Sequence, residues 1–332
     1  MRPAPFPAAR PRRLRRTGAL RALVRETALT PDHLIAPLFV KEGIAEPEPV
    51  GSMPGVAQHT VASLRAEVKE LRSAGVTGFL LFGVPAHKDA DGSQAWNPDG
   101  VLQQGIRALR EDHGDGVVLV ADTCLDEYTS HGHCGPVRSD GSVDNDAANA
   151  AYARAAVSQA EAGVDLVAPS GMMDGQVAVI RDALDSAGFA ERAGIMAYCT
   201  KYASALYGPF RDAAECAPEF GDRTTYQLDP ANGEEGLREA LTDVAEGADV
   251  LLVKPAVAYL DLVWRVKRAT GLPLAAYHVS GEYAMVHAAA QRGWIDGDRV
   301  MAEVLTGIRR AGADMVITYA AGWMARRLAD GA

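Results

Sequence analysis

The sequence predicts an α/β chain folded as a (β/α)8 barrel, the TIM-barrel architecture, behind an extended N-terminal arm. Three observations predict it. Eight apolar runs, each too short for a helix, recur at 33–40, 78–84, 116–122, 164–170, 194–200, 249–254, 273–280 and 315–319. Between most of them lie stretches with apolar residues at three- and four-residue spacing, the pattern of one-sided helices. Such alternation gives a parallel sheet covered on both faces. The rival, a doubly wound open sheet, lacks its GxGxxG after the first run.

Residues 1–30 form the expected arm. The first 25 carry eight arginines and no acid, Glu26 being the first. Four readings compete: a transit peptide, which is usually serine-rich while this stretch has no serine; a nucleic-acid arm; disorder of the Pro/Ala-rich start; and an arm that docks on an acidic neighbouring subunit. The last agrees in sign with a chain of net charge −10 and is expected for roughly residues 10–25. Residues 31–332 read as one barrel domain, with helices over 61–74, 100–112, 146–162, 176–187, 234–246, 259–270 and 300–311. Gly163, Gly271 and Gly312 directly follow three of these and suit left-handed caps. Two connections are long. The polar loop 87–98 is expected to rim a site. Residues 201–229 carry Lys201, Arg211, Arg223 and five aromatics, which suits a lid over an anionic substrate.

At 332 residues, 48% hydrophobic and 23% charged, the chain can bury a large core without metal or disulfides. The acidic balance argues against nucleic acid as a partner. No run of about 18 apolar residues exists, so no membrane span is expected. The N-terminus also lacks the apolar centre of a signal peptide. Cys124, Cys134, Cys199 and Cys216 are too few for a disulfide framework, so a reducing cytoplasm is expected.

Chemistry collects at the C-terminal ends of the strands: Phe82, Asp122 with Cys124, Ser170, Lys201, Lys254, Ser280 and Tyr319. That rim is where barrels of this kind place their sites. Any one of these has an ordinary explanation as a cap, a loop hydrogen bond or a snorkelling base. Seven facing one mouth do not. A lysine ending a buried strand loses solvation, burial lowers its pKa, and a neutral amine attacks ketones. Lys201 and Lys254 end neighbouring strands, so their charges repel and lower at least one pKa further. Such a pair can hold one or two carbonyl substrates as imines; an ion-pair network is the alternative. The loop 122–135 gathers two thiols, two imidazoles and several carboxylates. Cys124, Asp126 and Cys134 could give three metal ligands with a fourth position for water or substrate. Free thiols beside solvated histidines are the alternative.

The most specific stretches are Met53-Pro-Gly-Val56, Thr129-Ser-His-Gly-His-Cys-Gly135, Val143-Asp-Asn-Asp146, Met173-Asp-Gly-Gln-Val177, Thr200-Lys-Tyr-Ala203, Tyr207-Gly-Pro-Phe-Arg211, Val253-Lys-Pro255 and Val279-Ser-Gly-Glu-Tyr283. In this order they resemble the delta-aminolevulinic acid dehydratase (porphobilinogen synthase) family, from about Arg10 to Arg327. The resemblance implies a lyase of tetrapyrrole and heme synthesis that condenses two 5-aminolevulinate molecules to porphobilinogen, losing two waters. It places the first substrate on Lys254 and the second on Lys201. Arg211 and Arg223 match binders of the second carboxylate, and Ser280 and Tyr319 match binders of the first. Asp122, Ser170, Gln227 and Tyr207 match the wall of the site, and Phe82 and Phe210 keep it dry. In the family's zinc-dependent branch, cysteines stand at the positions of Cys124, Asp126 and Cys134. The other branch has acids at the later two. This hybrid loop is expected to hold zinc, with His133 assisting; a loop that has lost its metal is the alternative. Glu239 matches a ligand of an allosteric magnesium at a subunit interface, where an ordinary exposed helix glutamate is the alternative. The family forms homo-octamers whose arms embrace neighbours. Two rival functions remain: a class I Schiff-base aldolase with one essential lysine, and an RNA-binding or scaffolding role for the arginine arm.

Overall fold

Eight parallel strands close on themselves in the computed structural model, which describes Phe6 and residues 8–330. Residues 1–5 and 7 of the expected arm, and residues 331–332 of the expected barrel domain, lie outside the described residues. The described arm holds a short helix, α1 (Gly18–Leu23), capped by the Thr17 side chain, which accepts from Leu20 N at 3.2 Å. None of residues 11–28 is buried, and Leu14, Leu23 and Val24 lie exposed.

The barrel begins with β1 (Leu34–Lys41), a short hairpin of β2 (Glu48–Pro49) and β3 (Ala57–His59), then α2 (Val61–Ser73). It continues through β4 (Gly78–Val84), α3 (Val101–His113), β5 (Val118–Thr123), α4 (Asn145–Ala162), β6 (Leu166–Pro169) and α5 (Gln176–Ser186). Next come β7 (Gly194–Lys201), α6 (Gly208–Ala214), α7 (Gly233–Ala245), β8 (Val250–Lys254), α8 (Leu260–Thr270) and β9 (Leu274–His278). The chain ends with α9 (Ser280–Gln291), α10 (Gly297–Ala311), β10 (Met315–Thr318) and α11 (Ala321–Ala329). Pairing of β10 with β1, Leu34 opposite Val316 and Ile35 opposite Ile317, closes the ring. All seven residues of β4 are buried, as a strand covered on both faces requires.

One expectation is corrected, and two helices appear that were not expected. The apolar run 273–280 yields a strand only to His278; Val279 is the extended cap and Ser280 opens α9. That helix was not foreseen, because Ala-rich SGEYAMVHAAAQ shows no single apolar stripe. The expected lid contains a short helix, α6. Gly163 and Gly271 do take the left-handed caps, at φ 105° and 68°. Among the described residues no helix is long and apolar enough to cross a membrane.

Candidate active site

The geometry starts from one extra residue. Between Ala197 and Thr200, β7 slips by one against β8, and beyond the slip Lys201 stands level with Lys254. Each lysine is only 4% exposed. Their surroundings differ. Lys254 Nζ lies 4.6 Å from the ring centroid of Tyr277, 4.9 Å from Phe210 and 5.2 Å from both Tyr198 and Tyr207. Burial, and then the Lys201 charge, lower its pKa to about 8. Lys201 Nζ instead donates to Ser170 O at 2.5 Å. Burial lowers its pKa too, but Cys134, Cys124, Asp126 and Asp122 together outweigh that and hold it raised. Burial pushes the Cys124 thiol itself up. The expected lowering therefore holds for Lys254 and is corrected for Lys201.

Asp122 sits between the halves. Burial raises its carboxyl to about 6, against the pull of Lys254 and Lys201, and Ser170 Oγ lies 3.3 Å from its Oδ2. The lid closes the aromatic side. Phe210 N donates to Ser280 Oγ at 3.0 Å, and the Phe210 ring meets Phe82 at 5.1 Å. Phe82 in turn stacks on Phe39 at 5.2 Å. Tyr207 OH donates to Tyr202 O at 2.8 Å, and Tyr319 OH meets Tyr277 OH at 3.1 Å. Three lid atoms are buried without a partner, Arg211 Nε, Arg223 Nε and Gln227 Nε2.

Arg223, expected as a free carboxylate binder, is already engaged. It is 5% exposed, pairs with Asp126 at 2.7 Å and donates to Gly132 O and Cys216 O at 2.8 and 2.7 Å. It thus ties the lid to the cysteine loop. In that loop, donor atoms of Cys124, Asp126 and Cys134 lie within 4.8 Å of one another, all buried. Asp122, Cys124 and Glu127 form an overlapping set. His133 is no part of either. Its Nδ1 meets Tyr226 OH at 3.1 Å and its Nε2 meets Phe220 O at 3.0 Å, so both nitrogens are committed and the expected assistance is corrected. Neither histidine is solvated as the alternative required; His131 Nε2 meets Ala90 O at 3.1 Å. Glu239 stands on α7, lining a cavity of about 450 Å3 whose walls include Gln227 but neither lysine. It is half-buried rather than exposed. Burial, then Asp174, Glu235 and Glu246, raise its pKa.

Sequence reasoning missed Tyr198 and Tyr277, which face the amines, and Glu127. In a regular strand, residues 198 and 201 point to opposite faces. The slip in β7 turns both inward, and nothing in the apolar run signals it.

A closed barrel whose mouth gathers two buried lysines, carboxylates and a lid has the layout of an enzyme that holds carbonyl compounds as imines. The family model described as delta-aminolevulinic acid dehydratase matches residues 8–327. The delta-aminolevulinic acid dehydratase of Mycobacterium tuberculosis (strain CDC 1551 / Oshkosh) is 54% identical over 325 residues, 96% of this chain and 98% of that protein. That of Streptomyces coelicolor is 53% identical over 325 residues, 97% and 98%. The crystal structure of the Toxoplasma gondii ME49 enzyme in complex with the reaction product porphobilinogen superposes with a TM-score of 0.94 at 44% identity, covering 98% of this chain and 92% of that one. The chain belongs to the delta-aminolevulinic acid dehydratase family.

Proposed function

We propose that this chain is a porphobilinogen synthase, condensing two 5-aminolevulinate molecules through imines on Lys254 and Lys201 with loss of two waters. The observation that carries the reading is the register-matched lysine pair, buried alike and shifted in opposite directions in pKa. Lys254, with the lower pKa, supplies the free amine and takes the first substrate. The rings of Tyr277, Phe210, Tyr207 and Tyr198 shield its imine from water, with Phe82 behind them. Ser280 and Tyr319 bind the first carboxylate through their hydroxyls. Lys201 holds the second substrate within a wall of Asp122, Ser170 and Gln227. Arg211 takes the second carboxylate, with Arg223 joining it. The buried, unpartnered Arg211 Nε supports this, since a bidentate carboxylate would satisfy it. The aldolase alternative calls for one essential lysine, which leaves the second unexplained.

Two thiols and a carboxylate within 4.8 Å fit zinc better than magnesium, so Cys124, Asp126 and Cys134 are assigned to it. When bound, zinc would polarise a carbonyl or water at this edge of the mouth. Glu239, where Asp174, Glu235 and Glu246 outnumber the one facing cation, Arg238, suits an allosteric magnesium. The exposed basic arm on an acidic body supports docking on neighbours in an octamer, and four free thiols suit the cytoplasm. The test is direct. Purified protein given 5-aminolevulinate, with zinc and magnesium, should yield a pyrrole identified by mass and colour reaction. Absence of pyrrole under every metal condition would overturn the reading.

A further inference from the structure

Tyr198 lies between the two lysines. Its ring centroid is 5.5 Å from Lys201 Nζ and 5.2 Å from Lys254 Nζ, and among the described residues it is the one ring that both amines face. The residue is 2% exposed, and its hydroxyl has no hydrogen-bond partner. Asp122 is the acceptor beside it, and the two are close enough to act on each other's protonation without meeting at full hydrogen-bond geometry, so the hydroxyl can turn from Asp122 to a ligand. Burial, and then the Asp122 charge, hold the phenol well above its usual pKa, so it stays protonated and is a donor. A buried hydroxyl without a partner is costly, and a ligand that supplies the partner explains its retention.

Imine formation needs a donor at this place. As an amine attacks, the C–N bond forms and the carbonyl π pair moves onto oxygen. That oxygen leaves as water, and in the net reaction both its hydrogens come from the lysine ammonium. The C–O bond breaks, C=N closes, and the positive charge stays on nitrogen over the same ring. We propose that Tyr198 is a catalytic residue of imine formation, its phenol donating a hydrogen bond to the substrate's ketone oxygen as the lysine attacks and holding it until water departs. The phenol keeps its own proton throughout. This rests on the imine reading above.

The test uses 4-oxopentanoate, the substrate's skeleton without its amine, which can form an imine but no pyrrole. Adduct is trapped with borohydride at timed intervals and located at Lys254 by mass spectrometry. Tyr198→Phe keeps the ring and loses the hydroxyl. Its trapping rate should fall roughly 10- to 100-fold, the range for losing one placed donor, with the final extent of adduct unchanged. Tyr198→Leu, which also loses the ring, should lower the final extent as well. Trapping of Tyr198→Phe at the wild-type rate overturns the proposal. No adduct at either lysine in the unaltered protein would instead sink the imine reading itself.

Discussion

Lys201 and Lys254 end neighbouring strands, stand opposite each other and are equally buried, yet the two halves of the mouth treat them oppositely. Around Lys254 the walls are rings, which offer a cation only their faces, and the amine is driven toward its neutral form. Around Lys201 stand Asp122, Asp126 and a backbone carbonyl at 2.5 Å, and the ammonium is kept. The pair also acts on itself, since the charge held at Lys201 helps to strip the one at Lys254. In the proposed scheme, what would distinguish the first nucleophile from the second is therefore not the residue or its burial but which half of the rim it faces.

The largest effects should fall on the lysines. Lys254→Ala should abolish turnover, by about four orders of magnitude or more, because no other amine in the aromatic half can replace it. Lys201→Ala should leave at most traces of pyrrole. The halves are separated by trapping: Lys201→Ala should still capture 4-oxopentanoate at Lys254, whereas Lys254→Ala should capture little at Lys201. Near-normal turnover in either variant would break the two-imine scheme.

How far this contrast could be read from the sequence differs between its parts. Strand–helix alternation gave the barrel, because strands covered on both faces must be apolar throughout. Strand ends gave both lysines, because a charge at the end of a buried run stands out. Tyr198 was hidden because only the slip in β7 turns it inward with Lys201. The fate of Arg223 was hidden because the Asp126 contact joins residues far apart in sequence across the lid. His133 looked like a ligand by type, but Tyr226 OH and Phe220 O take both its nitrogens. Pairwise choices of this kind depend on tertiary placement, which periodicity does not carry.

The acidic half can be tested through its buried ion pair. Asp126→Ala leaves the Arg223 guanidinium buried without its carboxylate, which should cost about 3 kcal/mol or more. Thermal melting of the metal-free protein would show it. Removing the exposed pair of Arg326 with Glu70 should change melting little. Chelation probes the same half. Elemental analysis should find zinc, and its removal should lower activity roughly 100-fold, restored by zinc. Zinc absent, with activity intact after chelation, would remove zinc from the Cys124 loop.

The aromatic half should show itself in pH dependence. Below about 8, Lys254 is an ammonium, so kcat/KM should fall roughly tenfold for each unit of acidity. Because the Lys201 charge is one cause of the lowering, Lys201→Met should raise the Lys254 pKa. The pH limb of 4-oxopentanoate trapping should then move to higher pH. An unmoved limb would show that burial alone sets it.

The smallest effect is expected farthest from the two amines. Glu239 lines a cavity that reaches Gln227 but neither lysine, and its raised pKa comes from burial and its acidic neighbours, not from the lysines. Glu239→Gln keeps the shape and removes the charge. Imine trapping at Lys254 should stay within about twofold of wild type, since no charge of either half changes. If Glu239 holds magnesium at an interface as proposed, magnesium should raise activity and shift assembly in sedimentation for the unaltered protein and do neither for Glu239→Gln, because an ion bound at an interface acts by stabilising it. A large drop in trapping would mean that the assembly, and not only the rim, sets the Lys254 environment.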